Sequence, residues 1–141
     1  MSGPALIRAV YAHAGAGEWD AVAALMSDDL VIHEPPSLPF GGEWRGRDAL
    51  HRLFVAVMAT WLDPVVEIDA IVGDDRHVVA LLRFTMTSRA TGERFTQHVA
   101  EVSEIADGRV TAMRIHYFDS AEVARQAGAT RLFHGAVATS T

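Results

Sequence analysis

The sequence predicts an α+β domain, and three observations carry that reading. Apolar residues recur at helical spacing ahead of Pro64, whereas from Val65 onward they alternate every second residue. Turn signals separate the alternating runs, which makes the second part an antiparallel sheet. Half of the 141 residues are apolar, enough to bury about two thirds of the surface that the unfolded chain exposes. One curved sheet packed on helices buries both apolar faces at once.

Each element follows from local pattern. Pro4 suits a first helical turn, and Leu6, Ile7, Val10 and Ala14 share a face until Gly15 and Gly17 end a helix expected over 4–14. Trp19, Val22, Ala23 and Met26 mark a short second helix closed by Ser27-Asp28-Asp29. Leu30-Val31-Ile32-His33-Glu34 is a strand halted by Pro35 and Pro36, which cannot extend a ladder. Strand alternation sends Glu34 and His33 to opposite sides. Leu50, Leu53, Phe54, Val57, Met58 and Trp61 form the apolar stripe of a third helix, stopped by Asp63-Pro64.

In the second part, Leu82, Phe84 and Met86 alternate with Arg83, Thr85 and Thr87, and Ala90-Thr91-Gly92-Glu93 turns the chain into a strand over 94–105. Asp107-Gly108 makes the next hairpin turn, and the last strand covers 110–118. Asp119-Ser120-Ala121-Glu122 has the spacing of a capping box for a short final helix ending near Gly128. No repeat or linker appears, so residues 1–128 read as a single domain. Residues 129–141 read as a tail that is mobile or crosses to a partner chain.

Composition excludes several function classes. A net charge of -6 with 12 scattered basic residues argues against nucleic-acid binding, which needs clustered cations. Without cysteine there is no disulfide, thiolate nucleophile or Cys-bound zinc. No apolar run reaches membrane-spanning length, and the N-terminal apolar run is broken by Arg8 and lacks a basic leader. The expectation is a cytoplasmic protein with no membrane partner. The seven His include no HExxH and no close pair on one helix face, and the glycines around Gly41, Gly42 and Gly46 lack the Lys of a phosphate loop. Neither a metal nor a cofactor is expected.

Gly17-Glu18-Trp19-Asp20, Met26-Ser27-Asp28-Asp29, His33-Glu34-Pro35 and Gly46-Arg47-Asp48, followed late in the chain by Asp107-Gly108-Arg109-Val110, supply a more specific pointer. Their order and spacing resemble the superfamily of nuclear transport factor 2, the ketosteroid isomerases and the SnoaL-like polyketide cyclases, over residues 4–127. The resemblance implies a cone: a curved, mainly antiparallel sheet over three N-terminal helices, its inner face lining an apolar pocket. It also implies a homodimer through the outer face, where Val99, Ala112, Arg114, His116 and Phe118 are expected.

By that resemblance Glu34, before Pro35, stands where the isomerases carry their proton-moving acid. A carboxylate facing an apolar cone loses hydration and becomes a better base near neutral pH. Counting back from the Gly108 turn, the isomerases' second acid falls on Ala100, and their helix-one phenol falls on Val10, with Tyr11 rotated away by about 100°. Continuing the apolar alternation of Leu82, Phe84 and Met86 points Ala100 and Val102 inward, with Met113, Ile115 and Tyr117 on the last strand. That register brings His98 and Thr96 inward as well, so His98 and Tyr117 are the candidate donors to an enolate.

The candidate catalytic residues are therefore Glu34, His98 and Tyr117. Tyr11, Phe40, Trp44, Phe54, Trp61, Phe84, Met86, Met113 and Ile115 are the candidate lining of a pocket for a hydrophobic small molecule. The expected function is cofactor-free proton transfer next to a carbonyl, as in polyketide cyclisation or double-bond isomerisation. Two alternatives stay open: a non-catalytic small-molecule-binding domain, and a limonene-type epoxide hydrolase, which needs an Asp-Arg-Asp network.

Overall fold

The computed structural model describes residues 1–128 of the chain; the expected tail, 129–141, lies outside the described residues. Helix α1 runs over Gly3–Gly15, α2 over Trp19–Ala24, α3 over Ala49–Thr60 and α4 over Ser120–Gln126. Six strands, β1 (Met26–Glu34), β2 (Gly42–Arg45), β3 (Trp61–Gly73), β4 (His77–Ser88), β5 (Arg94–Ala106) and β6 (Arg109–Tyr117), form one curved, unclosed sheet in the order β2-β1-β6-β5-β4-β3. Every neighbouring pair is antiparallel except β1 with β6. The α+β architecture expected from the change of period is the one observed.

Helix α1 begins where Ser2 accepts from the Ala5 amide and Pro4 occupies the first turn, and its buried side is Leu6, Ile7 and Val10. It packs on β3 and β4, while α3 packs on β1, β2 and β3. Met26, expected to close the second helix, instead opens β1 and is fully buried. The third helix buries Ala49, Leu53, Ala56, Val57 and Thr60. This face is rotated from the expected stripe, and it leaves Phe54 39% exposed with its ring against Trp19. The indole of Trp61, in turn, is buried at the head of β3 and meets Phe95 edge-on.

The sheet's inner face carries Val78, Ala80, Leu82, Phe84 and Met86 from β4 and Val110, Met113 and Ile115 from β6, all buried. At the far end, α4 docks by burying Val123 and Gln126. The Ser88 hydroxyl donates to the Gln126 carbonyl at 2.5 Å and accepts the amides of Ala90 and Thr91 at 3.1 Å. Asp119 caps α4 through the Glu122 amide, as its spacing predicted.

The β5–β6 hairpin holds the feature that positions the site. Asp107 and Gly108 both adopt positive φ, 52° and 73°, the conformation of a two-residue hairpin turn. Ala106 pairs with Arg109 and Ile105 with Val110, but Glu104 then pairs with Ala112. Thr111 is the extra residue of a β-bulge, its hydroxyl donating to the Glu104 carbonyl at 3.2 Å. Because side chains alternate strictly along a strand, one extra residue exchanges the two faces of everything paired beyond it.

The β3–β4 hairpin tests how tightly the sheet edge is built. Gly73 has φ of 149°, and a Cβ there would run into the His77 carbonyl oxygen. Gly73→Ala is expected to lower stability by about 2 kcal/mol in urea unfolding, through strain and the displaced turn.

Candidate active site

The inner face of β5 is not the one that apolar alternation suggested. The pairs Leu82–Val99, Phe84–Gln97 and Met86–Phe95 turn Gln97, Val99, Glu101 and Ser103 inward. His98 lies opposite Arg83 on the exposed outer face, near Asp69, and Ala100 and Val102 share that face. The inward placement expected for His98 is thereby corrected, as is that of Thr96, Ala100 and Val102, while Val99, expected on the outer face, is buried on the inner one. The physical reason is the β4–β5 register, which sets Leu82 opposite Val99; the Thr111 bulge then keeps β6 in step, so that Met113 opposes Ser103 where an unbulged count would give Val102.

With Glu101 inward, two carboxyls and two phenols converge. Glu34 ends β1 on the inner face and is 6% exposed. Tyr117 comes from β6 and donates to Glu34 Oε2 over a long 3.5 Å. Tyr11, from the middle of α1, donates to Glu101 Oε1 in a short hydrogen bond. The rotation that seemed to take Tyr11 away from the site is spanned by the length of its side chain. Glu34 Oε1 is buried and has no hydrogen-bond partner, and the same holds for the Ser103 hydroxyl two residues along β5 from Glu101.

Burial sets the electrostatics. Loss of hydration raises the Glu34 carboxyl well above its ordinary 4.5, the charge of Glu101 raises it further, and the Tyr117 hydroxyl only partly opposes this. Glu101 is raised by desolvation too, offset in part by the phenol of Tyr11. Both tyrosines are pushed well above 10, first by burial and then by the neighbouring carboxylates. The two acids titrate as a coupled pair, both raised by burial, with the charge of Glu101 raising Glu34 further.

The remaining expected residues divide into wall and surface. Phe84, Met86, Met113 and Ile115 line the inner face as expected. Phe40, Trp44 and Trp61 are packed core, with the Trp44 indole donating to the Phe40 carbonyl at 2.9 Å. Phe54 lies outside the buried stripe. His33 points away from Glu34 toward Glu43, 3.6 Å distant, and His116 is exposed, both as alternation predicts. Among the described residues no cluster of three His, Cys, Asp or Glu side chains could hold a metal ion. No described helix is long and apolar enough to cross a membrane.

Comparison with known proteins fits this geometry. The SnoaL-like domain matches residues 7–113. The chain belongs to the SnoaL-like family. Solved structures share its fold. A nuclear transport factor 2-like protein from Burkholderia thailandensis is 22% identical, with a TM-score of 0.79 over 89% of this chain and 97% of that one. IdmH, a candidate polyketide cyclase from Streptomyces antibioticus, is 21% identical, with a TM-score of 0.68 over 89% of this chain and 98% of its own. A ketosteroid isomerase-like protein from Catenulispora acidiphila, solved in complex with trimethylamine, is 15% identical, with a TM-score of 0.69 over 89% of this chain and 94% of that one. A search of curated proteins finds no match.

The raised acid makes this SnoaL-like domain pH-sensitive in a defined direction. Folded Glu34 binds its proton more tightly than unfolded Glu34, so the folded state binds more protons above about pH 4.5 and stability falls as pH rises through the raised value. The expected slope is about 1.4 kcal/mol per pH unit for one proton. Glu34→Gln, which cannot ionise, should lose most of that slope in thermal melts between about pH 5 and 8.

Proposed function

We propose that this SnoaL-like domain catalyses proton transfer next to a carbonyl of a hydrophobic small molecule, leading to ring closure or double-bond migration. The observation that carries the reading is the acid pair: two glutamates on a dry apolar face, close enough for one to shift the other, each touched by a phenol. Two coupled carboxyls whose titrations are pushed apart supply a base and an acid at the same pH. Glu101 takes the proton from the carbon. Glu34 and the Tyr117 hydroxyl then donate to the oxygen where enolate charge develops, and the proton returns at a second carbon.

Other features support this chemistry over its rivals. The chain has neither cysteine nor lysine, so neither thiolate attack nor imine formation by its side chains is open to it. The epoxide hydrolase alternative needs an arginine between its acids, and among the described residues no arginine acts on Glu34 or Glu101. IdmH, which shares the fold, is a candidate polyketide cyclase, and that is the substrate class we extend to this chain.

We also propose that two copies pair through the outer sheet face, where Leu81 and Phe118 are 44% and 85% exposed. A monomeric mass by light scattering at micromolar concentration would contradict this.

The test of the catalytic reading is incorporation of solvent deuterium beside the carbonyl of cyclic ketones and enones. Wild-type protein should accelerate it, and Glu34→Gln and Glu101→Gln should each reduce the acceleration by about 10²- to 10⁴-fold. Equal incorporation with and without the acids would leave a binding domain that performs no chemistry.

A further inference from the structure

The acid pair has a second property that proton transfer does not use: among the described residues nothing positive faces it. The four titratable groups at the site come from four elements, Tyr11 from α1, Glu34 from β1, Glu101 from β5 and Tyr117 from β6. None of the four is influenced by an arginine or histidine among the described residues. The neighbouring strand β4 turns uncharged side chains, Leu82 and Phe84, to the same face. On α1, Arg8 reaches the Ile71 carbonyl instead, and on β5 and β6 His98 and His116 are exposed.

Buried carboxylates without a counter-ion are costly, and proteins ordinarily pair them. Two buried polar atoms without a partner mark the same place. Glu34 Oε1 is fully enclosed with no donor, and the Ser103 hydroxyl, 1% exposed, points by alternation to the same face as Glu101. Among the described residues the site thus lacks a positive charge.

We propose that the ligand of this site carries a positive charge: an ammonium or protonated amine on an apolar skeleton, its cationic centre seated between Glu101 and Glu34 and against Tyr11 and Tyr117. The apolar part lies along Phe84, Met113 and Ile115. This inference rests on the acid pair being the functional site and narrows its substrate class to amine-bearing carbonyl compounds. A carboxylate ligand meets like charge here, and a neutral one leaves the deficit in place.

Three probes of one skeleton test it by calorimetry: benzyltrimethylammonium, benzyl alcohol and benzoate. The ammonium should bind at least about tenfold more tightly than the alcohol, and benzoate most weakly. A cation favours ionised carboxylates, so ammonium affinity should rise with pH above the ordinary carboxylate range, and Glu34→Gln should flatten that rise. Glu101→Gln should cost about tenfold in ammonium affinity while leaving benzyl alcohol unchanged, which separates lost charge from a misfolded pocket. Equal affinity for ammonium and alcohol, or tighter binding of benzoate, overturns the proposal. Deuterium incorporation into ketones without cation preference overturns this inference and spares the catalytic reading; cation preference without incorporation does the reverse.

Discussion

The bulge at Thr111 is the constraint on which the rest of the site depends. It lies on the rim of the sheet, close to the β5–β6 turn, and buries no large side chain of its own. Yet together with the unbroken β4–β5 ladder it decides which of two alternating sets on β5 shares the inner face with Met113, Ile115 and Tyr117. One set is His98, Ala100 and Val102; the other is Gln97, Val99, Glu101 and Ser103. Continuity of the ladders past the bulge then transmits the choice through β4 and β6 alike. A polar set is thereby turned against the core, and the more apolar one faces out.

Such an arrangement is stable only because the surroundings over-determine it. Leaving Glu34 Oε1 buried without a donor costs about 1–3 kcal/mol. Around it, Ile32, Phe40, Trp44, Met86 and Met113 are closed off almost completely from solvent, and that apolar burial offsets the deficit. The same dryness raises both carboxyls and both phenols, so the packing that stabilises the fold also tunes the acids. Stability and chemistry pull against each other at this point, a pattern expected where a site is held in readiness.

Fold and function are separable in this architecture. The SnoaL-like domain shares its shape with proteins no more than about a fifth identical to it, and that likeness speaks to the cone alone. The content of the inner face is a separate matter from that shape. Glutamates take the acidic positions, tyrosines reach them from α1 and β6, and no described cation approaches. The outer face carries the opposite character, with Arg83 bonded to Asp69 at 2.9 Å and His98 beside them. Charge is thus kept on the side that water reaches, while the inner face holds acids without counter-ions.

Local pattern was enough to read most of the fold. Helical stripes ended by glycine, a strand stopped by Pro35, alternation from Leu82 to Thr87 and the Asp107-Gly108 turn are properties of neighbouring residues, which is why they were legible in the sequence. Glu34 and Tyr117 were legible for the same reason, each lying on a strand whose facing follows from its own alternation. The rotation of α3 that exposes Phe54 and the inward turn of Glu101 were not. Both depend on how elements meet: the first on which side of a nearly all-apolar helix the sheet can reach, the second on a bulge residue that is an ordinary threonine. A one-residue slip changes no local propensity but exchanges the faces of a strand, so only tertiary pairing could decide that Glu101, and not His98, shares the pocket with Glu34.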